Sequence, residues 1–246
     1  MNSNYKFTIQ YDGTRYYGWQ RQPDKNTIQG KIESVLSVMC GKDIEVIGAG
    51  RTDAGVHAKG MTANAVLDTD MSEWEIRDYL NRYLPDDIAV SEVKTAGERF
   101  HARYNAVGKT YCYTCFDGEV KPVFQKRYVY MLDAKPDINL MKKAADVLVG
   151  EHDFRNFCVN PHMKKTTVRI VDRISISEKG GFINFTFHGT GFLQNMVRIM
   201  VGTLLEAGYG RKSIEDIRYS LNVAERVKAG PTAPPQGLCL ISVDYN

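Results

Sequence analysis

Residues 61–93, MTANAVLDTDMSEWEIRDYLNRYLPDDIAVSEV, pass from strand to helix and back to strand, and their reading decides the fold. Met61 to Leu67 reads as a strand. Ser72 and Glu75 have the spacing of a capping box, ahead of apolar positions Ile76, Tyr79, Leu80, Tyr83 and Leu84 that recur three and four residues apart. Ile88 to Val93 then returns to strand. Upstream, Phe7, Ile9 and Tyr11 alternate as a strand, and Thr27 can cap a helix with a buried stripe of Ile28, Ile32, Val35, Leu36 and Met39. Asp43 to Ile47 reads as a further strand, followed by a glycine-rich loop or elbow at 48–60, GAGRTDAGVHAKG. The first half is therefore β-α-β-β-α-β.

Downstream the grammar repeats. A strand at Lys109–Phe116 precedes a helix at Ile138–Val149, which starts behind Asp137 and stops at Gly150. Strands Val168–Ser177 and Phe182–His188 flank an EKGG turn, and helices follow at Phe192–Ala207 and Ile214–Leu221. A loop marked by Pro231, Pro234 and Pro235 leads to a closing strand at Leu238–Val243. An α+β chain of two tandem RRM-like or ferredoxin-like units is implied, one over residues 1–106 and one over 107–246. If their sheets join edge to edge, they form one extended, mainly antiparallel sheet. Helices then cover one face and leave an open face of the kind that RNA-binding sheets use.

Composition narrows the class. The 246 residues are 43% hydrophobic and 25% charged, which excludes disorder. Met1–Ile9 holds no apolar run suited to a signal peptide, and the apolar stretch 192–205 is interrupted by Gln194, Asn195 and Arg198, so a cytoplasmic protein with no membrane segment is expected. Five cysteines at irregular spacing fit a reducing compartment. Net charge is +3, but residues 1–106 carry 13 Lys/Arg against 15 Asp/Glu while residues 107–246 carry 19 against 14. A polyanion would favour the second half.

Asp53 stands among Gly48, Gly50 and Gly55, which let a ligand approach the carboxylate closely. Aspartate is also a common turn residue, so the loop alone does not separate the two roles. Arg198 is the one charged residue in Leu193–Leu205, LQNMVRIMVGTLL, and a guanidinium on so apolar a helix needs either a carboxylate or a path to solvent. Asp53 is the candidate carboxylate, and an adjacent Arg would hold it ionised, as a nucleophile requires. Tyr111 and Tyr113 face one side of their strand, where a ring can stack on an extruded base or simply pack in the sheet. Cys112 and Cys115 point to opposite faces, and Asp53, His57 and His101 follow no ligand spacing, so no metal is expected. Residues 11–22, YDGTRYYGWQRQ, mix Arg15 and Arg21 with Tyr16, Tyr17 and Trp19, suited either to gripping RNA or to packing the first domain. Lys164, Lys165 and Arg169 offer further phosphate contacts.

Six segments together, YDGTRYYGWQRQ (11–22), TIQGKIE (27–33), GAGRTDAGVHA (48–58), FHARYNAVGKTYCY (100–113), GFLQNMVRIMVGTLLEAG (191–208) and TAPPQGL (232–238), resemble the tRNA pseudouridine(38-40) synthases, the TruA family, over nearly the whole chain. GRTDAGVHA carries most of that resemblance. Tyr17 stands where many relatives have Phe, and Gln194-Asn195 replaces a His pair found in some. The resemblance implies the pseudouridine synthase fold and isomerisation of uridine at positions 38, 39 and 40 of the tRNA anticodon stem-loop, with no cofactor. It further implies that Asp53 is the catalytic aspartate, Arg198 its ion-pair partner, Tyr111 the ring on the target uracil and Arg51 a support for the flipped-out base. His57, Arg15, Arg21 and Arg103 are the remaining expected substrate contacts. A homodimer that clamps the tRNA is implied as well. Two other classes compete: a non-catalytic tandem RRM-like RNA-binding module, which predicts binding without isomerisation, and a metal-assisted hydrolase using Asp53 and His57, which predicts sensitivity to chelators.

Overall fold

A computed structural model describes residues 2–159, 166–223 and 229–246. Its contacts divide the chain into two units, one of Met1–Val107 with Cys239–Asn246 and the other of Gly108–Leu238.

The first unit begins with β1 (Asn2–Tyr11), α1 (Ile28–Cys40), β2 (Ile47–Gly48), β3 (His57–Asp68), α2 (Glu73–Tyr83) and β4 (Ile88–Ala96). β1 lies between β3 and β4, antiparallel to both, with Phe7 opposite Ala63 on one side and Val93 on the other. Alternation puts Phe7, Ile9, Met61 and Leu67 in a core shared with Ile28, Ile32 and Leu36 of α1 and with Ile76 and Leu80 of α2, all fully buried. The helix starts follow from local chemistry. Thr27 accepts the Gly30 N–H at 3.3 Å, and Ser72 with Glu75 closes the expected capping box, the Glu75 carboxylate taking the Ser72 N–H at 2.8 Å.

The even-numbered residues of β1 and β3 face the other way. There Asn4 donates to the carbonyls of Gly97 and Phe100 at 3.1 and 2.9 Å, while Asn64 donates to Asn4 and accepts the Ala102 N–H, at 3.0 and 2.8 Å. Residues 97–105 are thereby fastened across a face that the sequence pattern left open, because two buried amides give that segment's backbone the partners it would otherwise take from water.

The second unit holds β5 (Ala106–Phe116), β6 (Tyr130–Met131), α3 (Ile138–Leu148), β7 (Gly150–Asp153), β8 (Val168–Lys179), β9 (Phe182–Gly189), α4 (Met196–Gly208) and α5 (Ile214–Asn222). β5, β9, β8 and β7 are neighbours in that order, each pair antiparallel. Tyr113 of β5 stands opposite Phe185 of β9, and with Phe187, Met141, Met200 and Leu204 these side chains are fully buried. Asp137 caps α3 through the N–H groups of Asn139 and Leu140, at 2.7 and 3.1 Å.

Four expectations change. Residues 43–47 do not form a strand beyond the two-residue β2, for Val46 donates to the Glu33 carboxylate and its carbonyl accepts from Gln29, so α1 side chains replace a partner strand. β3 begins at His57, inside the segment read as loop. α4 begins at Met196 rather than at 192, because Asn195 sits at φ 60° and breaks the helical path. Finally β10 (Leu238–Tyr245) joins the first unit, not the second, pairing parallel to β3 with Cys239 opposite His57. Among the described residues no helix is long and apolar enough to cross a membrane, and no group of His, Cys, Asp and Glu could hold a metal ion.

Candidate active site

Asp53 is half-buried at the start of a tight turn in which the Val56 N–H returns to the Asp53 carbonyl at 3.2 Å. Gly55 takes the third position at φ 78°, the left-handed conformation that a type II turn requires there. The turn is bound to the segment following β1 at several points. Trp19 N–H donates to the Thr52 carbonyl at 3.1 Å, Gly55 N–H to the Tyr16 carbonyl at 3.3 Å, and the Tyr11 hydroxyl lies 2.8 Å from Thr52 Oγ1. Gly18, at φ 90°, passes so close that a Cβ there would stand 2.5 Å from the Thr52 oxygen and 3.1 Å from the Asp53 carbonyl carbon. Trp19 and Tyr16, whose backbones make two of these attachments, are 2% and 4% exposed. The aromatic segment 11–22 is thus mainly a support for the Asp53 turn, the packing alternative of the sequence reading; Tyr17 alone of its aromatics is exposed, with Lys25 Nζ 4.6 Å from its ring centre.

In the second unit, Arg198 is half-buried on α4. Its Nε donates to the Ala233 carbonyl at 2.7 Å and one terminal nitrogen donates to Asn195 Oδ1 at 3.2 Å. Both acceptors are neutral oxygens that aim the guanidinium. The Ala233 N–H returns to the Arg198 carbonyl at 3.1 Å, and the Tyr113 hydroxyl donates to the next carbonyl, Pro234, at 2.8 Å. The weak motif TAPPQGL is therefore a strap that fixes Arg198. Tyr113 is fully buried, and its burial pushes the phenol far above its ordinary range, with the Arg198 charge acting in the opposite sense. Tyr111, two residues earlier on the same face, is 8% exposed, its ring edge-on to Phe192 at 5.3 Å.

A family model described as tRNA pseudouridine synthase matches residues 8–105 and 144–246, and tRNA pseudouridine synthase A of Bacillus sp. (strain KSM-64) is 48% identical over 244 residues, 99% of this chain and 100% of the relative. The chain belongs to the tRNA pseudouridine synthase family. Members are isomerases, and this chain is one of them. It is also 45% identical to tRNA pseudouridine synthase A 2 of Bacillus anthracis, with 99% of this chain and 100% of the relative covered, and 42% identical to tRNA pseudouridine synthase A 2 of Clostridium perfringens (strain 13 / Type A), with 98% and 99% covered. Asp53 falls in the first matched segment and Arg198 in the second; Tyr111 lies between them.

Within this family member the outer residues fall into two groups. Arg51 and Arg103 are exposed, the latter in a turn whose N–H groups at 103 and 104 donate to His101 Nδ1 at 3.2 and 3.3 Å. Arg15 and Arg21 are exposed but tied down, Arg15 to Asp87 at 2.7 Å and Arg21 to the buried Glu33 at 3.3 Å. His57, the remaining expected contact, is largely buried. It is 5% exposed, and its Nδ1 lies 3.1 Å from both the Gly13 nitrogen and Asp12 Oδ1, so it braces the segment beneath the Asp53 turn. Depending on the tautomer, Nδ1 accepts from Gly13 or donates to Asp12. Lys164 and Lys165 lie outside the described residues, and Arg169 donates to the carbonyls of Thr166 and Val168. Tyr11 and Thr52 were missed in the sequence. The signal was a tyrosine on the buried side of an alternating strand, whose hydroxyl must find a partner inside.

Proposed function

We propose that the chain converts uridine to pseudouridine at positions 38, 39 and 40 of the tRNA anticodon stem-loop, with Asp53 as the catalytic carboxylate. The observation that carries this reading is the placement of Asp53 on a turn held by three separate attachments and surrounded by backbone, on a chain matched end to end by its relatives. A carboxylate fixed in this way meets the target at a constant angle, which is what an approach to a sugar or a base demands. The reaction breaks the bond between C1′ and N1, turns the uracil and joins C1′ to C5; N1 gains a proton and C5 loses one, so atoms and electrons balance without a cofactor.

Arg198 serves as the ion-pair partner that keeps Asp53 charged. Its aim by two oxygens supports this role, since the fork is held in a fixed orientation. Tyr111 offers its ring to the extruded uracil, at a cost of a few kcal/mol for unstacking that phosphate contacts offset. The exposed Arg51 and Arg103, with the surface guanidinium groups of Arg15 and Arg21, supply such contacts. The enzyme acts in the cytoplasm as a homodimer, which provides cationic surface that one mildly basic chain lacks.

The test is site-resolved mapping of pseudouridine in unmodified tRNA incubated with the wild type and with Asp53→Asn. Product at 38–40 is expected with the wild type, and a loss of about 10³-fold or more with the amide, while tRNA binding persists. Normal turnover by Asp53→Asn, or product confined to other positions, overturns the proposal.

A further inference from the structure

We propose that the buried hydrogen bond between Tyr11 and Thr52 positions the Asp53 carboxylate, so that these two residues govern the chemical step without touching the substrate. The inference rests on the reading of Asp53 as the catalytic group.

Tyr11 is held on both edges of its strand. It ends β1 with Ala58 of β3 as its partner on one side and Ile88 of β4 on the other, and its ring lies 6.1 Å from that of Trp19. Its hydroxyl is therefore a fixed point. Thr52, directly before Asp53, meets that point at 2.8 Å through Oγ1 and meets the Trp19 N–H at 3.1 Å through its carbonyl. One anchor lies on its side chain and the other in the peptide that leads into Asp53. Together they fix the Thr52 Cα and the plane of the 52–53 peptide, and hence the direction in which the Asp53 side chain leaves the backbone.

The chemistry of the pair supports positioning over stabilisation. Tyr11 and Thr52 are 5% and 6% exposed, and two hydroxyl groups there add little net stability, because an apolar pair of the same shape would be nearly neutral. What a hydroxyl pair adds is direction, since an apolar contact can slide while a short hydrogen bond resists rotation.

The experiment compares Tyr11→Phe, Thr52→Val, the double variant Tyr11→Phe/Thr52→Val and Thr52→Ser, measuring melting temperature and kcat and KM on unmodified tRNA. Each single variant breaks the Tyr11–Thr52 hydrogen bond and can lower the melting temperature for that reason alone. The double variant replaces both hydroxyl groups by apolar atoms, and at a temperature well below its own melting point its kcat is expected to stay about tenfold below wild type with KM little changed. Thr52→Ser, which keeps the hydroxyl, is expected to keep most of kcat. A double variant with wild-type kcat overturns the positioning role, as does a loss that appears only in KM or only as melting. If Asp53→Asn is itself active, the underlying reading fails instead, and the two failures are distinct.

Discussion

Replacing Gly18 by alanine tests the support of the Asp53 turn most sharply. The new Cβ would stand 2.5 Å from the Thr52 oxygen, and restoring an ordinary 3.4 Å contact moves the two apart by about 0.9 Å. Neither side is a flexible side chain: one is the backbone of 18, the other the peptide that carries Asp53. The φ of 90° adds about 1 to 3 kcal/mol of strain for any residue with a Cβ. Misplacing a reacting group by an ångström costs about 10²-fold in rate, so kcat for Gly18→Ala should fall by about that factor. Gly41→Ala is the matched control. It has φ 65° at the end of α1 and no atom within 4 Å of a built Cβ, so it suffers strain without displacement of the turn. It should lose about 1 kcal/mol of stability and keep its kcat. Both are assayed for turnover on saturating unmodified tRNA, well below the melting temperature of the weaker variant. A kcat for Gly18→Ala equal to that of Gly41→Ala refutes the reasoning, because the backbone contact would then have no bearing on catalysis.

Two further outcomes follow from the first unit. Asn64→Ala strands the buried Ala102 N–H and one acceptor on Asn4, so denaturant unfolding should show a loss of about 1 to 3 kcal/mol for each stranded group; an unchanged midpoint would show that residues 97–105 do not depend on the amide. Burial pushes the Tyr245 phenol up to about 12 from 10.0, so the folded state holds its proton more tightly than the unfolded chain. The resulting stability is complete below pH 10 and is lost as pH rises from there through about 12. Tyr245→Phe should therefore flatten the decline in melting temperature across that window, and an unaltered alkaline slope would contradict the assignment.

The parts of this molecule that were legible in the sequence are those decided by neighbours along the chain. Ser72 with Glu75, Thr27 and Asp137 cap the helices they precede, since a cap needs only residues two or three positions away. The alternation of Phe7, Ile9 and Tyr11 likewise predicts which side of β1 is buried. Residues 43–47 show where such reading stops. Ile44 and Val46 are buried as alternation implies, but the backbone between them bonds to Gln29 and Glu33, and no local pattern distinguishes that from a strand. The late start of α4 had a different cause, for the apolar Phe192 and Leu193 read as helix while the φ of Asn195 breaks the helical path. At the site, the glycines around Asp53 announced a close approach, yet not that the approaching chain was its own segment 13–19. His57 is an expected substrate contact by its motif and lies largely buried by geometry, because a buried imidazole and an exposed one look alike in sequence.

The return of β10 to the first unit has a consequence for biosynthesis. While a ribosome is still producing residues 108–238, the His57–Ala58 stretch of β3 lacks the pairing that Cys239 and Leu240 will supply, and the Ala102 carbonyl waits for the Tyr245 hydroxyl. His57, which begins β3 beneath the Asp53 turn, is opposite Cys239 in that late pairing. The amino-terminal unit therefore receives this strand only after the whole intervening unit has been translated.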